Sequence, residues 1–322
     1  MRRMIEMLGV VVVAVLAAAG AGAAAGFPEK PITLIVQSSA GGGSDIFART
    51  LAAVVEREKL LPQPIVVENK AGGSGAIAYA YVAGKRKDPY FLLTCTPSFL
   101  TVPIVRKSQV TPKDFTPIAN FAFDDFIVVV RQDSRFKRLA DLVAEAKANP
   151  KKIAAGGTQV GGSDSISLYL IEKAAGIQFN YISFTGGGEL NAALLGGHVD
   201  LVMLNPGEAL ELAKAQKVRI LGVMADKRLA GAPEVPTLKE QGVDAVFRQH
   251  RGVVAPAELP TEARTVLETA MQQYTRTAGY RKYIADNVLS AAYMDGAAFG
   301  AWMGRESARY QEILVSMGLV KK

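Results

Sequence analysis

Two turns rich in glycine and hydroxyl groups, Ala40-Gly41-Gly42-Gly43-Ser44-Asp45 and Gly156-Gly157-Thr158-Gln159-Val160-Gly161-Gly162-Ser163-Asp164, each follow a β-like run and open a helix-like run. Free N–H groups at a helix start, together with the positive end of the helix dipole, form a ready site for an anion. Glycines let the backbone curl round an oxygen, and Ser39, Ser44, Thr158 and Ser163 can add hydroxyl donors. The charge on Asp45 suits it to capping or bracing the loop rather than to touching an anion. Two such turns suggest one anionic ligand held from two sides. A third turn, Ser183-Phe184-Thr185-Gly186-Gly187-Gly188-Glu189, and the Asn205-Pro206-Gly207 step also follow short strands. Ligands of doubly wound sheets lie at the carboxyl ends of strands, so all of these can face one crevice.

Other chemistries find less support. Gly73, Gly75 and Ala78 match the spacing of a dinucleotide fingerprint, yet the next strand ends in Thr94-Cys95-Thr96-Pro97-Ser98, without the acid that would hold a ribose. Tight turning and helix–sheet packing account for those glycines. No Gly-Lys-Ser/Thr follows either anion turn, which argues against nucleotide triphosphate hydrolysis. The two histidines, His198 and His250, lie far apart and in no metal-ligand spacing. Ser163 lacks a nucleophile elbow, and Cys95 has no base near it in sequence. Neither cofactor nor metal is expected. An NAD(P)-dependent α/β oxidoreductase stands as the alternative class, and it would need both the missing acid and a proton shuttle.

These turns need a scaffold, and the chain supplies a regular one. Strand-like runs at Ile32 to Val36, Ile65 to Val67, Phe91 to Thr94 and Phe126 to Val130 alternate with helical periodicity at Ile46 to Glu58, Ala76 to Ala83 and Leu139 to Ala148. The beat continues through Arg219 to Val223 and predicts parallel, doubly wound α/β architecture. Beyond Pro256 the pattern is helical, at Thr261 to Thr277, Gly279 to Asn287 and Gly296 to Leu314, with no further strands read. Such late helices need a sheet to pack on, so the C-terminal segment is expected to return to the first lobe, with crossings near Phe123-Asp124-Asp125 and Ala225-Asp226-Lys227. Lobe one is therefore predicted as 26–124 plus 227–322, and lobe two as 125–226.

The 322 residues suffice for two cores, and 21% charged residues with high aliphatic content read as globular. Arg2 and Arg3, the apolar run Leu8 to Ala19 and the small residues Ala23-Ala24-Ala25 read as a secretory signal peptide over 1–25. Its removal takes two positive charges and one negative, moving the formal charge from +7 to +6. Export of a chain with one cysteine leaves stability to the core rather than to disulfides. Scattered Lys and Arg without interleaved aromatics argue against nucleic acid as the anion.

Several further stretches are similar to one family. Lys30-Pro31-Ile32, the Gly41-Gly42-Gly43-Ser44-Asp45 turn with Arg49, Val66-Val67-Glu68-Asn69-Lys70 before Ala71-Gly72-Gly73-Ser74-Gly75, and Lys113-Asp114-Phe115-Thr116-Pro117-Ile118-Ala119 resemble the substrate-binding receptors of tripartite tricarboxylate transporters, the Bug receptors. Leu194-Leu195-Gly196-Gly197-His198-Val199-Asp200, Val235-Pro236-Thr237-Leu238 and Arg251-Gly252-Val253-Val254-Ala255-Pro256 continue the likeness. The resemblance implies a periplasmic receptor of the two-lobed type II periplasmic-binding-protein fold, two doubly wound α/β lobes around a cleft. It would act as a monomer, close over a small carboxylate and deliver it to a membrane permease. It also implies that the glycine turns hold the carboxylate by backbone and hydroxyl groups. On this reading the ligand-binding set is Ser39, Ala40, Gly42, Gly43, Ser44 and Asp45 from lobe one, with Thr158, Gly161, Gly162, Ser163, Thr185, Gly186, Gly187 and Asn205 from lobe two. The chain departs from the family at Gln37-Ser38-Ser39-Ala40, at Ser165-Ile166 and at His250. These changes near the expected cleft suggest a ligand with extra hydroxyl or amide groups. A sensory receptor acting on a signalling partner is a third reading.

Overall fold

The computed structural model describes residues 26–158, 160–184 and 187–321. The signal-peptide reading of 1–25 therefore lies outside the described residues. The first sheet has six strands in the order β11-β4-β10-β3-β1-β2. They are β1 (Ile32–Val36), β2 (Ile65–Asn69), β3 (Phe91–Cys95), β4 (Phe115–Asp125), β10 (Arg248–Pro256) and β11 (Ser290–Asp295). The second sheet has five, in the order β7-β6-β8-β5-β9. These are β5 (Ile127–Arg131), β6 (Ala154–Gly157), β7 (Asn180–Ser183), β8 (Leu201–Leu204) and β9 (Val218–Val223).

Hydrophobic runs of β-branched residues give the parallel core of each sheet. Ile32 and Leu34 of β1 are fully buried, and β1 lies parallel to β2 (Ile32↔Ile65) and β3 (Thr33↔Phe91). In the second sheet β6 is parallel to β7 and β8. The expected parallel, doubly wound arrangement holds for these strands, and the strands that carry the chain between the sheets add antiparallel pairs to it. β10 runs antiparallel to β3 and β4, and β5 runs antiparallel to β8 and β9. A strand that leaves one sheet and enters the next cannot reverse through a crossover helix, so it arrives against the local direction. A single residue, Phe126, separates β4 from β5. On the way back, Val223 bridges Thr237, and Leu229, Ala232 and Val235 pack with Val223 and Ile127 under the second sheet. The chain re-enters the first sheet at Arg248.

Ten helices cover these sheets among the described residues: α1 (Gly43–Arg57), α2 (Ala76–Ala83), α3 (Pro97–Arg106), α4 (Leu139–Ala148), α5 (Ser163–Ala175), α6 (Gly187–Leu195), α7 (Pro206–Lys214), α8 (Thr261–Tyr274), α9 (Ala278–Asp286) and α10 (Gly296–Ser316). The C-terminal helices do return to the first sheet, with Leu267, Met271 and Tyr274 of α8 packed on Phe121 and Val253. They bring a strand that periodicity did not show, since β11 pairs with the edge of β4. Cys95, at the end of β3, is buried, and loss of water pushes its thiol well above the ordinary cysteine range.

Candidate functional site

The first turn connects β1 to α1. Gly42 precedes the helix in extended conformation, so the first-turn amides of Gly43 and Ser44 have no intrahelical acceptor. Ser39, Ala40, Gly42 and Gly43 are exposed. Asp45 braces the loop from inside. Its carboxylate accepts from Gly41 N–H (2.9 Å), Arg49 Nε (3.0 Å) and Asn69 Nδ2 (3.0 Å). Burial alone would raise the Asp45 pKa, but these donors outweigh it and hold the group below its usual value.

The Ser44 hydroxyl is not presented outward. It is buried and accepts from Gln37 Nε2 (3.0 Å) and Arg251 Nη1 (3.2 Å). Gln37 in turn accepts from Thr94 Oγ1. Arg251 clamps Asp124 through Nε (3.1 Å) and Nη2, and its guanidinium lies so close under the turn that a Cβ at Gly43 would meet Nη2 at 2.6 Å. Gln37 thus belongs to an internal network. Of the polar residues in the first loop, Gln37 is therefore turned inward and away from any ligand, whereas Ser39 stays exposed. His250 is likewise displaced from the cleft. Adjacent residues of a strand point to opposite faces, so Arg251 faces Ser44 while His250 packs on Phe299 and Trp302, with ring centroids 5.7 and 5.0 Å away. It is fully buried with neither ring nitrogen bonded, and burial brings its pKa down to about 3.

The second turn connects β6 to α5. Thr158 N–H and Oγ1 both donate to the Asp164 carboxylate, at 2.7 and 2.6 Å. Burial raises the pKa of Asp164 against these donors. Gly161 N–H donates to Ser165 Oγ (2.7 Å), so Ser165 braces the loop, and Ile166 lies in the core. The cleft-facing position expected for this pair is therefore not found. Gly161 has φ +78°, and a Cβ there would strike Val105 Cγ2 at 2.9 Å, so this glycine sets how closely α3 approaches. Ser163, half-buried, begins α5.

A cavity of about 420 Å³ opens beside this turn, within the roughly 300–1,000 Å³ of small-molecule sites. From the second lobe come Thr158, Val160, Gly161, Gly162 and Ser183. From the first come Ser74, Val102, Val105 and Arg106. The two lobes thus share its wall. The first-turn residues and Ser163 do not line it, and Thr185 and Gly186 lie outside the described residues. Gly187, at the start of α6, stands in open space. Asn205 precedes α7 without capping it, and its buried Nδ2 has no partner among the described residues. Glu208, exposed along one side, has its pKa raised by partial loss of water, against a hydrogen bond from Asn191, and by the charges of Asp124 and Asp164.

Ser74 and Arg106 were missed by sequence reasoning. The Gly73-Ser74-Gly75 turn was read as packing alone, whereas Gly72, Gly73, Ser74 and Gly75 all have positive φ, with Ser74 at +65°. A left-handed serine costs on the order of 1 kcal/mol, and here it forms part of the cavity wall. The signal was available, as one hydroxyl residue among glycines at the carboxyl end of β2. Nothing local marked Arg106.

Two α/β lobes that meet around a glycine- and hydroxyl-lined cavity define a two-lobed solute-binding protein. A family model described as the tripartite tricarboxylate transporter family receptor matches residues 47–319, and the chain belongs to that family. It is 33% identical over 298 residues to the UPF0065 protein in the gbd 5' region of Cupriavidus necator, covering 92% of this chain and 90% of that one. A TctC solute-binding protein from Polaromonas, without ligand, superposes with a TM-score of 0.73 at 31% identity, covering 90% of this chain and 99% of that one. An R. palustris protein with adipate gives 0.83 at 25%, covering 91% and 98%.

Proposed function

We propose that this chain is a periplasmic receptor that captures a small organic carboxylate between its lobes and passes it to the membrane subunits of a tripartite permease, as a monomer and without catalysing a reaction. The observation that carries the reading is the cavity shared by both lobes, walled by glycine backbone and hydroxyl groups beside the first turn of α5. Unsatisfied amides at that helix start favour an anion, and Asn205 keeps a buried Nδ2 donor unused among the described residues. The adipate held by the R. palustris relative supports the ligand class. Export with cleavage near Ala25 fits the location of such receptors. We carry the lobe division 26–124 plus 227–322 against 125–226 as part of this proposal; the segment around Leu229 to Val235, assigned to lobe one, packs with the core of the second lobe. Closure would follow from the ligand's greater affinity for the closed state.

Calorimetry of the mature protein against di- and tricarboxylates, amino acids, aromatic acids and amides tests this. The expected result is saturable one-to-one binding of a carboxylate, weakened about tenfold by Ser183→Ala and by Thr158→Val, two cavity-lining hydroxyls, the loss of roughly one hydrogen bond each. Binding and turnover of NADH or NADPH would replace the receptor reading with the oxidoreductase.

A further inference from the structure

Among the described residues that line the cavity, Arg106 is the one with a charge. It is the last residue of α3, where the negative end of the helix dipole favours a cation. Its guanidinium is exposed and makes no hydrogen bond or ion pair with any described residue. Arg49, Arg57 and Arg86 of the first lobe, by contrast, are each paired with an acid. The Ser74 turn lies alongside, with Arg106 Nη1 3.9 Å from the place a Cβ would occupy on Gly73. Val102, Val105 and Val160 supply the apolar part of the same lining.

From this placement we infer that Arg106, with the Ser74 turn beside it, is a ligand subsite that binds one carboxylate group through the guanidinium and so makes the receptor select an acid over its amide. The inference rests on the carboxylate reading above and adds to it a charged contact that the glycine turns, which offer only neutral donors, do not provide. A guanidinium can take a carboxylate by two parallel N–H···O bonds, a geometry an amide cannot reproduce because half of its edge donates instead of accepting. Lysine keeps the charge but not the fork.

The test is calorimetry with adipate, succinate and malate, each beside its monoamide, on the wild-type mature protein and on Arg106→Gln and Arg106→Lys. Thermal unfolding of each variant checks that it folds. The expected result is that the wild type prefers at least one acid to its monoamide by about 10- to 100-fold, the usual worth of a charge-assisted contact. Arg106→Gln abolishes that preference by weakening the acid alone, and Arg106→Lys restores part of it. Equal weakening of acid and amide overturns the inference and leaves Arg106 a packing residue, and unchanged affinities overturn it outright. A wild type that binds none of the three acids also overturns it. Only failure of the whole carboxylate screen overturns the reading beneath.

Discussion

The two anion turns carry the same four residues, Gly-Gly-Ser-Asp, at 42–45 and at 161–164, and the structure makes opposite electrostatic use of them. Asp45 is held charged by Arg49, Asn69 and the Gly41 amide, above a buried Arg251–Asp124 pair. Among the described residues Asp164 has the two donors of Thr158, and burial pushes it toward the neutral acid. Below the first turn lies a guanidinium, while against the second lie Val105, Leu314 and Leu319. Identical local sequence does not even fix the loop: the helix begins at Gly43 in the first turn, with Gly42 at φ −80°, but one step later, at Ser163, in the second, with Gly161 at φ +78°, and the elements packed behind each turn decide the charge. The consequence falls on the cavity, which is lined by the turn whose acid is nearer to neutral.

The largest expected effect comes from removing the charge support of the first turn. Arg251→Ala should lower stability to urea by about 3–5 kcal/mol, because Asp124 would keep a buried, uncompensated charge. Adding Asp124→Asn should recover much of the loss, and a loss under about 1 kcal/mol would show that the two turns are braced alike. Next in size is the contrast between the acids themselves. Asp45→Asn should cost about 1–2 kcal/mol, since Arg49 and Asn69 lose a charged acceptor. Asp164→Asn should move stability by less than about 0.5 kcal/mol, as its amide oxygen still accepts both bonds from Thr158. Equal costs would break the comparison.

The smallest and most diagnostic effect is in pH. The folded pKa of Asp45 lies below its unfolded value, so its contribution is present above the ordinary aspartate range and lost as the pH falls. Asp164 has the reverse shift, so its contribution is present below that range and lost as the pH rises through the folded value. Urea midpoints between pH 3.5 and 7 should therefore show the Asp45→Asn penalty shrinking in acid, and Asp164→Asn gaining on the wild type toward neutrality. Parallel curves for the two variants would contradict the opposite shifts.

Much of the scaffold was legible because apolar period sets it. β1, β3, α2 and α4 fall where alternation and helical spacing place them. What escaped has a physical cause in each case. β4 is buried on both faces for most of its length, so it lacks the alternation that marks a strand. α3 carries Pro103 and several β-branched residues, which disguise a helix. The direction of β5 and β10 depends on which sheet each joins, a property no window of sequence contains. At the site, strand alternation alone required His250 and Arg251 to face opposite ways, so that inference was within reach. The partnership of Ser74 and Arg106 with Gly161 was not, because it depends on how two lobes meet.

Cys95 gives the molecule a practical property. It is the single cysteine of the chain, and its thiol is both sealed from water and reluctant to ionise. Alkylating reagents attack the thiolate, so the native fold is silent to maleimide dyes. One new cysteine on each lip of the cleft would therefore take up a fluorophore pair without background. Energy transfer between the two could then follow opening and closing in single molecules.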